Sequence, residues 1–121
     1  MELKYFTQSD FDKCDPPCSI DDMDFDLLKK LDIARMIAKI PFVINSAYRS
    51  VEHEKKQGRT GTSSHTKGLA VDIKSTDSLT RYKIISSLLS VGLNRIGIGK
   101  NFIHVDMDTN KSSNVIWHYY D

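Results

Sequence analysis

The sequence predicts an α+β fold in which helices pack on one face of an antiparallel sheet. Two segments carry apolar residues at helical spacing, and several short segments carry the two-residue alternation of strands. The chain has 121 residues, no internal repeat, no low-complexity stretch and no linker-like composition. Because this length is the size of one domain, residues 1–121 are expected to fold around a single core.

The first predicted helix covers residues 22–40. Its apolar side chains recur every three to four residues, either Asp22 or Asp24 can cap its first turn, and Pro41 ends it. Residues 42–47 form a short, mainly apolar run that predicts a buried strand. This helix and strand are expected to contribute much of the core.

A polar stretch, residues 50–63, follows this strand. Gly58 and Gly61 favour an exposed loop that borders a site, although residues 51–56 are also compatible with a helical turn. Residues 69–73 then alternate apolar and polar side chains, which predicts a strand with one buried face.

The second predicted helix covers residues 77–91 and stops at Gly92, which suits the left-handed position after a helix. It is expected to cover the apolar face of the sheet. Three more strands are predicted, with Lys100 and Asn101 in a hairpin turn between the first two. These strands cover residues 96–98, 102–107 and 115–119.

Composition argues against nucleic-acid and membrane partners. The 17 basic and 16 acidic residues give a formal charge of +1, which offers no general attraction to nucleic acid or an anionic membrane. No apolar run approaches the ~20 residues of a spanning helix, and the N-terminus has no apolar signal segment. We therefore expect a protein that is made in the cytoplasm without a signal peptide and binds its partner through a local site. A monomer is also expected.

Two histidines and an aspartate have the pattern of metal ligands. His65 precedes a predicted strand that contains Asp72, and His104 lies in a later strand. Because side chains alternate along a strand, Asp72 and His104 point away from the apolar face, and Gly68 lets the chain turn so that His65 approaches them. Each residue alone is more typical of a solvated surface, but together they match zinc ligands that leave a fourth position for water. The sequence thus predicts a zinc site on the sheet face opposite the helices, and a metal-dependent hydrolase.

The two cysteines have a different spacing from common metal and redox motifs. Cys14 and Cys18 are separated by Asp15, Pro16 and Pro17, whereas those motifs have C-x-x-C. Two reduced thiols are expected, with a second metal site or a tight disulfide as the alternatives.

Several short motifs are similar to one known family. Residues 64–72 have the pattern S-H-x-x-G-x-A-x-D, and residues 104–106 have the pattern H-x-D. These motifs resemble those of the zinc D-Ala-D-Ala carboxypeptidase family, which includes bacterial and phage cell-wall endopeptidases and shares its zinc site with the hedgehog signalling domain. Residues 45–50 resemble its S-G-Y-R-S segment, residues 95–99 the stretch before its last ligand, and Trp117 a tryptophan near its C-terminus. The resemblance runs from about Phe6 to Trp117.

This resemblance implies a hedgehog-like and DD-peptidase-like fold with one Zn²⁺ bound by His65, Asp72 and His104. It also implies hydrolysis of peptide bonds in the stem peptides of peptidoglycan. Family members remove terminal D-Ala or cut internal bonds such as L-Ala to D-Glu, so a carboxypeptidase and an endopeptidase both remain open. The small size and the lack of a signal segment favour a phage enzyme of the endolysin type that reaches the cell wall after release or delivery.

The general base does not follow from the resemblance. Relatives such as the vancomycin-resistance dipeptidases have a carboxylate three residues before the last histidine ligand, where this chain has Asn101. An amide cannot accept and return a proton, so Asp106, on the strand face of His104, is the predicted catalytic proton-transfer residue. Orienting a ligand imidazole is its alternative role, and His118 is a weaker candidate for the base.

Four further residues are candidates for the substrate pocket. Arg49 is predicted to act in catalysis, because a guanidinium can bind a substrate carboxylate or stabilise the oxyanion and the family has an arginine here. Tyr48, Ser64 and Trp117 are predicted to bind substrate. Two alternatives to an enzyme remain: a non-catalytic zinc-binding recognition module and a phage structural module of the same fold.

Overall fold

The structure is a computed structural model that describes residues 2–119. Its helices are α1 (Gln8–Asp12), α2 (Phe25–Ala38), α3 (Val51–Lys56) and α4 (Ser78–Ser90). Its strands are β1 (Ile44–Ser46), β2 (Ala70–Lys74), β3 (Arg95–Ile98), β4 (Phe102–Asp106) and β5 (Val115–His118). The strands form one sheet in the order β1-β2-β4-β3-β5, and α2 and α4 pack together over one face of it. The predicted α+β class is confirmed.

Helix α2 is the long core helix predicted from apolar spacing, but it is shorter than residues 22–40. It begins after Asp24, whose side chain accepts a hydrogen bond from the Leu27 N–H at 3.0 Å. Residues 20–22 form a separate 3₁₀ turn. The helix ends where Lys39 adopts a left-handed φ of 59°, two residues before Pro41. Its buried face carries Leu27, Leu28, Leu31, Ala34 and Ala38.

Helix α4 covers the apolar face of the sheet, as predicted. Asp77 caps it by accepting the Thr80 N–H at 2.7 Å, and this hydrogen bond lowers the pKa of the exposed Asp77 carboxyl. Ile84 and Leu88 are fully buried, and Gly92 follows the helix with a φ of 84°. Among the smaller elements, residues 51–56 take the helical alternative, α3, whose first turn is capped by Ser50.

The sheet is mostly antiparallel, with one exception to the predicted arrangement. Strands β1, β2, β4 and β3 pair antiparallel in that order, whereas β5 runs parallel to β3. The reason is the chain path. Strand β4 ends beside the start of β3, and residues 107–114 then bring β5 to the free edge of β3, where the Val115 N–H donates to the Asn94 carbonyl at 3.1 Å. β5 therefore starts at the same end of the sheet as β3.

One row of residues crosses all five strands on the face opposite the helices. Ser46 lies opposite Asp72, Asp72 opposite His104, His104 opposite Gly97, and Gly97 opposite Trp117. The alternate residues face the helices and are fully buried, as Val71, Ile73, Ile96, Ile103 and Val105 show. The two-residue period thus separates the hydrophobic core from a polar row.

Gly68 lies in the turn just before β2, and its replacement is expected to destabilise the fold. It has a φ of 70°, and an added Cβ would lie 2.2 Å from the Asp22 carbonyl oxygen. Gly58 has a similar φ of 81°, but an added Cβ there would have no atom within 4 Å. Gly58→Ala therefore measures the cost of the positive φ alone, without a steric clash. We expect Gly58→Ala to cost about 1 kcal/mol and Gly68→Ala about 3 kcal/mol or more in urea denaturation. Equal losses would show that the close contact is unimportant.

The structure also locates the cysteines and bears on membrane association. Cys14 and Cys18 are free, and burial raises the pKa of the Cys14 thiol to about 12. Among residues 2–119, no helix is both long and apolar enough to cross a membrane.

Candidate metal centre

His65, Asp72 and His104 converge on the polar face of the sheet. Their ligand atoms all lie within 4.8 Å of one another. Asp72 Oδ1 is 3.4 Å from His65 Nε2 and 3.0 Å from His104 Nδ1. Tetrahedral zinc with bonds of about 2.0–2.2 Å requires ligand atoms roughly 3.3–3.6 Å apart, and the two Asp72 contacts are close to that spacing.

The local structure around His65 fixes which of its nitrogens faces the cluster. Ser63 caps the 3₁₀ turn by accepting the His65 N–H at 3.0 Å. The Ala47 carbonyl can only accept, so at 2.7 Å it requires the proton of the ring on Nδ1. The Nε2 atom therefore faces Asp72.

His104 is oriented by a chain of hydrogen bonds from its other side. Its Nε2–H donates to Asp106 Oδ2 at 2.7 Å, which leaves Nδ1 facing Asp72. Asp106 Oδ1 accepts from Arg95 Nε at 2.6 Å and from the Asp108 N–H at 3.1 Å. The Asp106 side chain is 1% exposed. Both of its oxygens are thus engaged behind the imidazole, as in the carboxylate–histidine pairs of zinc sites.

The electrostatics of the cluster favour charged ligands. Burial alone would raise the pKa of Asp72, but hydrogen bonds from His104 and His65 outweigh it and hold that pKa below its ordinary value. Burial would lower the pKa of His104, and hydrogen bonds to Asp106 and Asp72 raise it instead. Burial would likewise raise the pKa of Asp106, whereas its bonds from His104 and Arg95 lower it. A cation bound between these ligands would balance the negative charge of the carboxylates.

The cluster opens into a cleft of about 340 Å³. One wall is aromatic: the Trp117 ring centre lies 5.6 Å from that of His104 and 6.2 Å from that of Tyr119. The remaining lining residues are mainly polar or charged. The full lining consists of Arg49, Glu54, Arg59, Ser63, Ser64, His65, Asp72, Arg95, Phe102, His104, Asp106, Lys111, Trp117 and Tyr119.

Most of the residues predicted for the pocket lie in it. Arg49 lines the cleft, and its backbone N–H donates to the His65 carbonyl at 3.2 Å. Ser64 does, with its hydroxyl donating to Asp108 at 2.8 Å. Trp117 also lines the cleft, as part of its aromatic wall. Tyr48 instead packs against the hydrophobic core and is absent from the lining within residues 2–119.

The two other residues considered for proton transfer lie outside the cleft. Asn101 is exposed, and its carbonyl accepts the Ser75 N–H at 2.9 Å. His118 follows Trp117 on β5, so its side chain leaves the strand on the opposite face. Within the described chain, neither residue lines the cleft.

Sequence reasoning missed four charged residues of the cleft: Glu54, Arg59, Arg95 and Lys111. Arg95 had a signal, because it is two residues before Gly97 and therefore on the face of the row. Lys111, whose Nζ donates to Ser64 at 2.9 Å, lies in the loop between β4 and β5 and had none. Lys67 and Lys111 surround the buried Asp108. Burial would raise the pKa of Asp108, but the Lys67 and Ser64 hydrogen bonds hold it at about 2.

Comparison with known proteins identifies the family of the chain. The family model described as peptidase M15 matches residues 4–106. The chain belongs to the peptidase M15 family. A crystal structure of the L-Ala D-Glu endopeptidase ChiX from Serratia marcescens matches this M15 chain with a TM-score of 0.61 and 18% identity, over 74% of this chain and 84% of that chain. At that identity the likeness shows the fold. No curated protein matches the chain.

Membership confirms the resemblance stated from the motifs. M15 proteins are zinc-dependent metallopeptidases that act on peptidoglycan, and this M15 chain has a His-Asp-His cluster suited to that metal. Its fold, with a mostly antiparallel sheet, is similar to that of the solved endopeptidase.

Proposed function

We propose that this M15 peptidase hydrolyses a peptide bond in the stem peptides of peptidoglycan, with one zinc ion bound by His65, Asp72 and His104. The convergence of two imidazole nitrogens on one carboxylate oxygen carries the proposal. When bound, zinc lowers the pKa of a water molecule toward 7 and polarises the scissile carbonyl. A monomer that acts on the cell wall after release or delivery remains our expectation.

The residues around the cluster have separate roles in this proposal. Arg49 holds substrate or the developing oxyanion, since its guanidinium borders the cleft and its backbone is tied to His65. Ser64 and Trp117 shape the two sides of the pocket. Asp106 orients His104, because both of its oxygens are already engaged, and this role replaces proton transfer in our proposal.

The scissile bond is proposed from the solved relative. That protein is an L-Ala D-Glu endopeptidase, so cleavage between L-Ala and D-Glu is the first candidate, ahead of removal of terminal D-Ala. The test is to incubate the zinc-loaded protein with purified muropeptides and to identify new amino termini by mass spectrometry. A new D-Glu amino terminus is expected. Release of free D-Ala alone would instead assign a carboxypeptidase.

A non-catalytic recognition module is the second candidate, and one observation favours it. Within the described cleft, the three carboxylates belong to Glu54, Asp72 and Asp106, and each contacts a cationic or imidazole partner. Within the described cleft, each carboxylate is therefore already paired with a cationic or imidazole group. Binding of muropeptides without any new amino terminus at saturating zinc would support this candidate and overturn hydrolysis.

A further inference from the structure

Glu54 is a buried carboxylate that sits between two arginines at the edge of the cleft. Its side chain is 0% exposed. Its Oε2 accepts a hydrogen bond from Arg59 Nη1 at 3.0 Å and lies 3.5 Å from Arg49 Nε. The Arg59 backbone N–H also donates to the Glu54 carbonyl at 2.9 Å. Glu54 therefore fixes Arg59 through both its side chain and its backbone.

The two arginines differ in exposure, and this difference gives them different roles in the cleft. Arg49 is 14% exposed and bonds to Ser46 Oγ at 3.2 Å, so it is a fixed part of the wall. Arg59 is 51% exposed while one of its N–H groups is held by Glu54. A guanidinium has five N–H donors, so Arg59 retains donors that reach the solvent of the cleft.

The hydrogen bonding of this group is incomplete. Among residues 2–119, buried Arg49 Nε and buried Glu54 Oε1 have no hydrogen-bond partner. Neither atom is exposed, so the donors that a ligand can reach are those of the half-exposed Arg59. The group also carries two positive charges against one negative charge. It is thus arranged to accept a further anion.

The cleft as a whole also has an excess of positive charge. Its lining includes the cations Arg49, Arg59, Arg95 and Lys111 and the anions Glu54, Asp72 and Asp106. This excess of positive charge increases when a divalent cation is added. A cleft of this kind attracts a negatively charged ligand.

We propose that Arg59, positioned by Glu54 beside Arg49, is a second anion-binding residue of the cleft and selects peptides with a free carboxylate near the scissile bond. The inference rests on the proposed function for the identity of the peptide. In a stem peptide, two carboxylates have this chemistry: the α-carboxylate of γ-linked D-Glu and the C-terminal carboxylate. Amidation removes the charge of either one and leaves the rest of the peptide intact.

The experiment uses the synthetic tetrapeptide L-Ala-γ-D-Glu-L-Lys-D-Ala and two versions, each amidated at one carboxylate. Calorimetry measures binding to the metal-free full chain, where no hydrolysis interferes. We expect amidation of one carboxylate to weaken binding to wild type by about tenfold, because a charge-assisted contact is lost. The version that shows this loss identifies the carboxylate. Arg59→Gln should weaken binding of the free peptide equally and leave binding of that amidated version unchanged.

Three further variants sharpen the result. Arg59→Lys keeps the charge but removes the planar guanidinium that can donate two parallel hydrogen bonds, so an intermediate loss of binding affinity is expected. Glu54→Gln keeps the shape and removes the charge that holds Arg59, so it should also reduce the discrimination. Lys56→Gln is the matched control: it removes one positive charge from the exposed end of α3 and should bind like wild type. Circular dichroism verifies folding of each variant.

Activity separates this inference from the proposed function. In the zinc-loaded protein, Arg59→Gln should raise KM for the free peptide with kcat unchanged. Discrimination that depends on Arg59 without any hydrolysis would overturn the proposed function and keep the anion site. Two outcomes would overturn the anion site and keep the peptidase. One is hydrolysis together with equal binding of the free and amidated peptides. The other is an equal loss of binding affinity for the free peptide and both amidated versions in Arg59→Gln.

Discussion

Replacing His104 with Ala is expected to lower the rate of muropeptide hydrolysis about 10³-fold or more. A bound metal supplies several kcal/mol of transition-state stabilisation, and each 1.36 kcal/mol corresponds to a tenfold change in rate. His104 is at the centre of the cluster, 3.0 Å from Asp72 and 2.7 Å from Asp106, so its loss removes a ligand and leaves two carboxylates without their shared partner. Product formation at saturating zinc, followed by mass spectrometry, measures the effect.

A second readout separates loss of metal from loss of fold. Zinc at about 100 times its Kd should stabilise wild type by about 2.7 kcal/mol, and this gain should disappear in His104→Ala. His53→Gln is the control, because His53 is outside the lining of the cleft in the described chain. It should keep both the activity and the zinc-dependent gain. Full hydrolysis by His104→Ala would contradict the proposed site.

Replacing Asp106 with Asn is expected to lower zinc affinity about 10- to 100-fold, the usual effect of removing the partner of a ligand histidine. The Asp106 carboxylate accepts from His104, Arg95 and the Asp108 N–H. An amide has one oxygen for these three donors and presents an N–H₂ group to the rest. The imidazole would therefore lose its fixed orientation while the cleft keeps its shape.

This variant discriminates between orientation and proton transfer. If Asp106 orients His104, raising the zinc concentration should restore most of the wild-type kcat. If Asp106 is the general base, kcat should stay about 10²- to 10⁴-fold low at saturating zinc. Arg95→Gln acts through Asp106 and should show a weaker form of the same zinc-dependent defect. Asp26→Asn, on the exposed start of α2, should match wild type.

Much of the site follows from the period of the strands. Alternation alone places Asp72 and His104 opposite the apolar face, and the structure pairs them directly across β2 and β4. That pairing joins residues 32 positions apart, so its register could not be derived from local pattern. The same period also places Arg95 on this face, two residues before Gly97. Tyr48 was predicted beside Arg49, yet adjacent residues diverge, and its ring packs on the core.

Other features depend on long-range contacts that the sequence does not encode locally. A Glu in a polar stretch is typical of a solvated face, and Glu54 is buried only because arginines on both sides of α3 neutralise it. The parallel pairing of β5 depends on the path of the 107–114 loop. Helix ends were closer to prediction, since caps such as Asp24 and Asp77 act within one turn.

Titration of the metal-free full chain with zinc in a calorimeter is the most direct test of the proposed metal centre. We predict one zinc per chain for wild type and loss of that binding in His65→Ala, whose Nε2 is directed at Asp72 by the bond of Nδ1 to Ala47. Absence of zinc binding by wild type, or the same stoichiometry and affinity in His65→Ala, would contradict the metal centre.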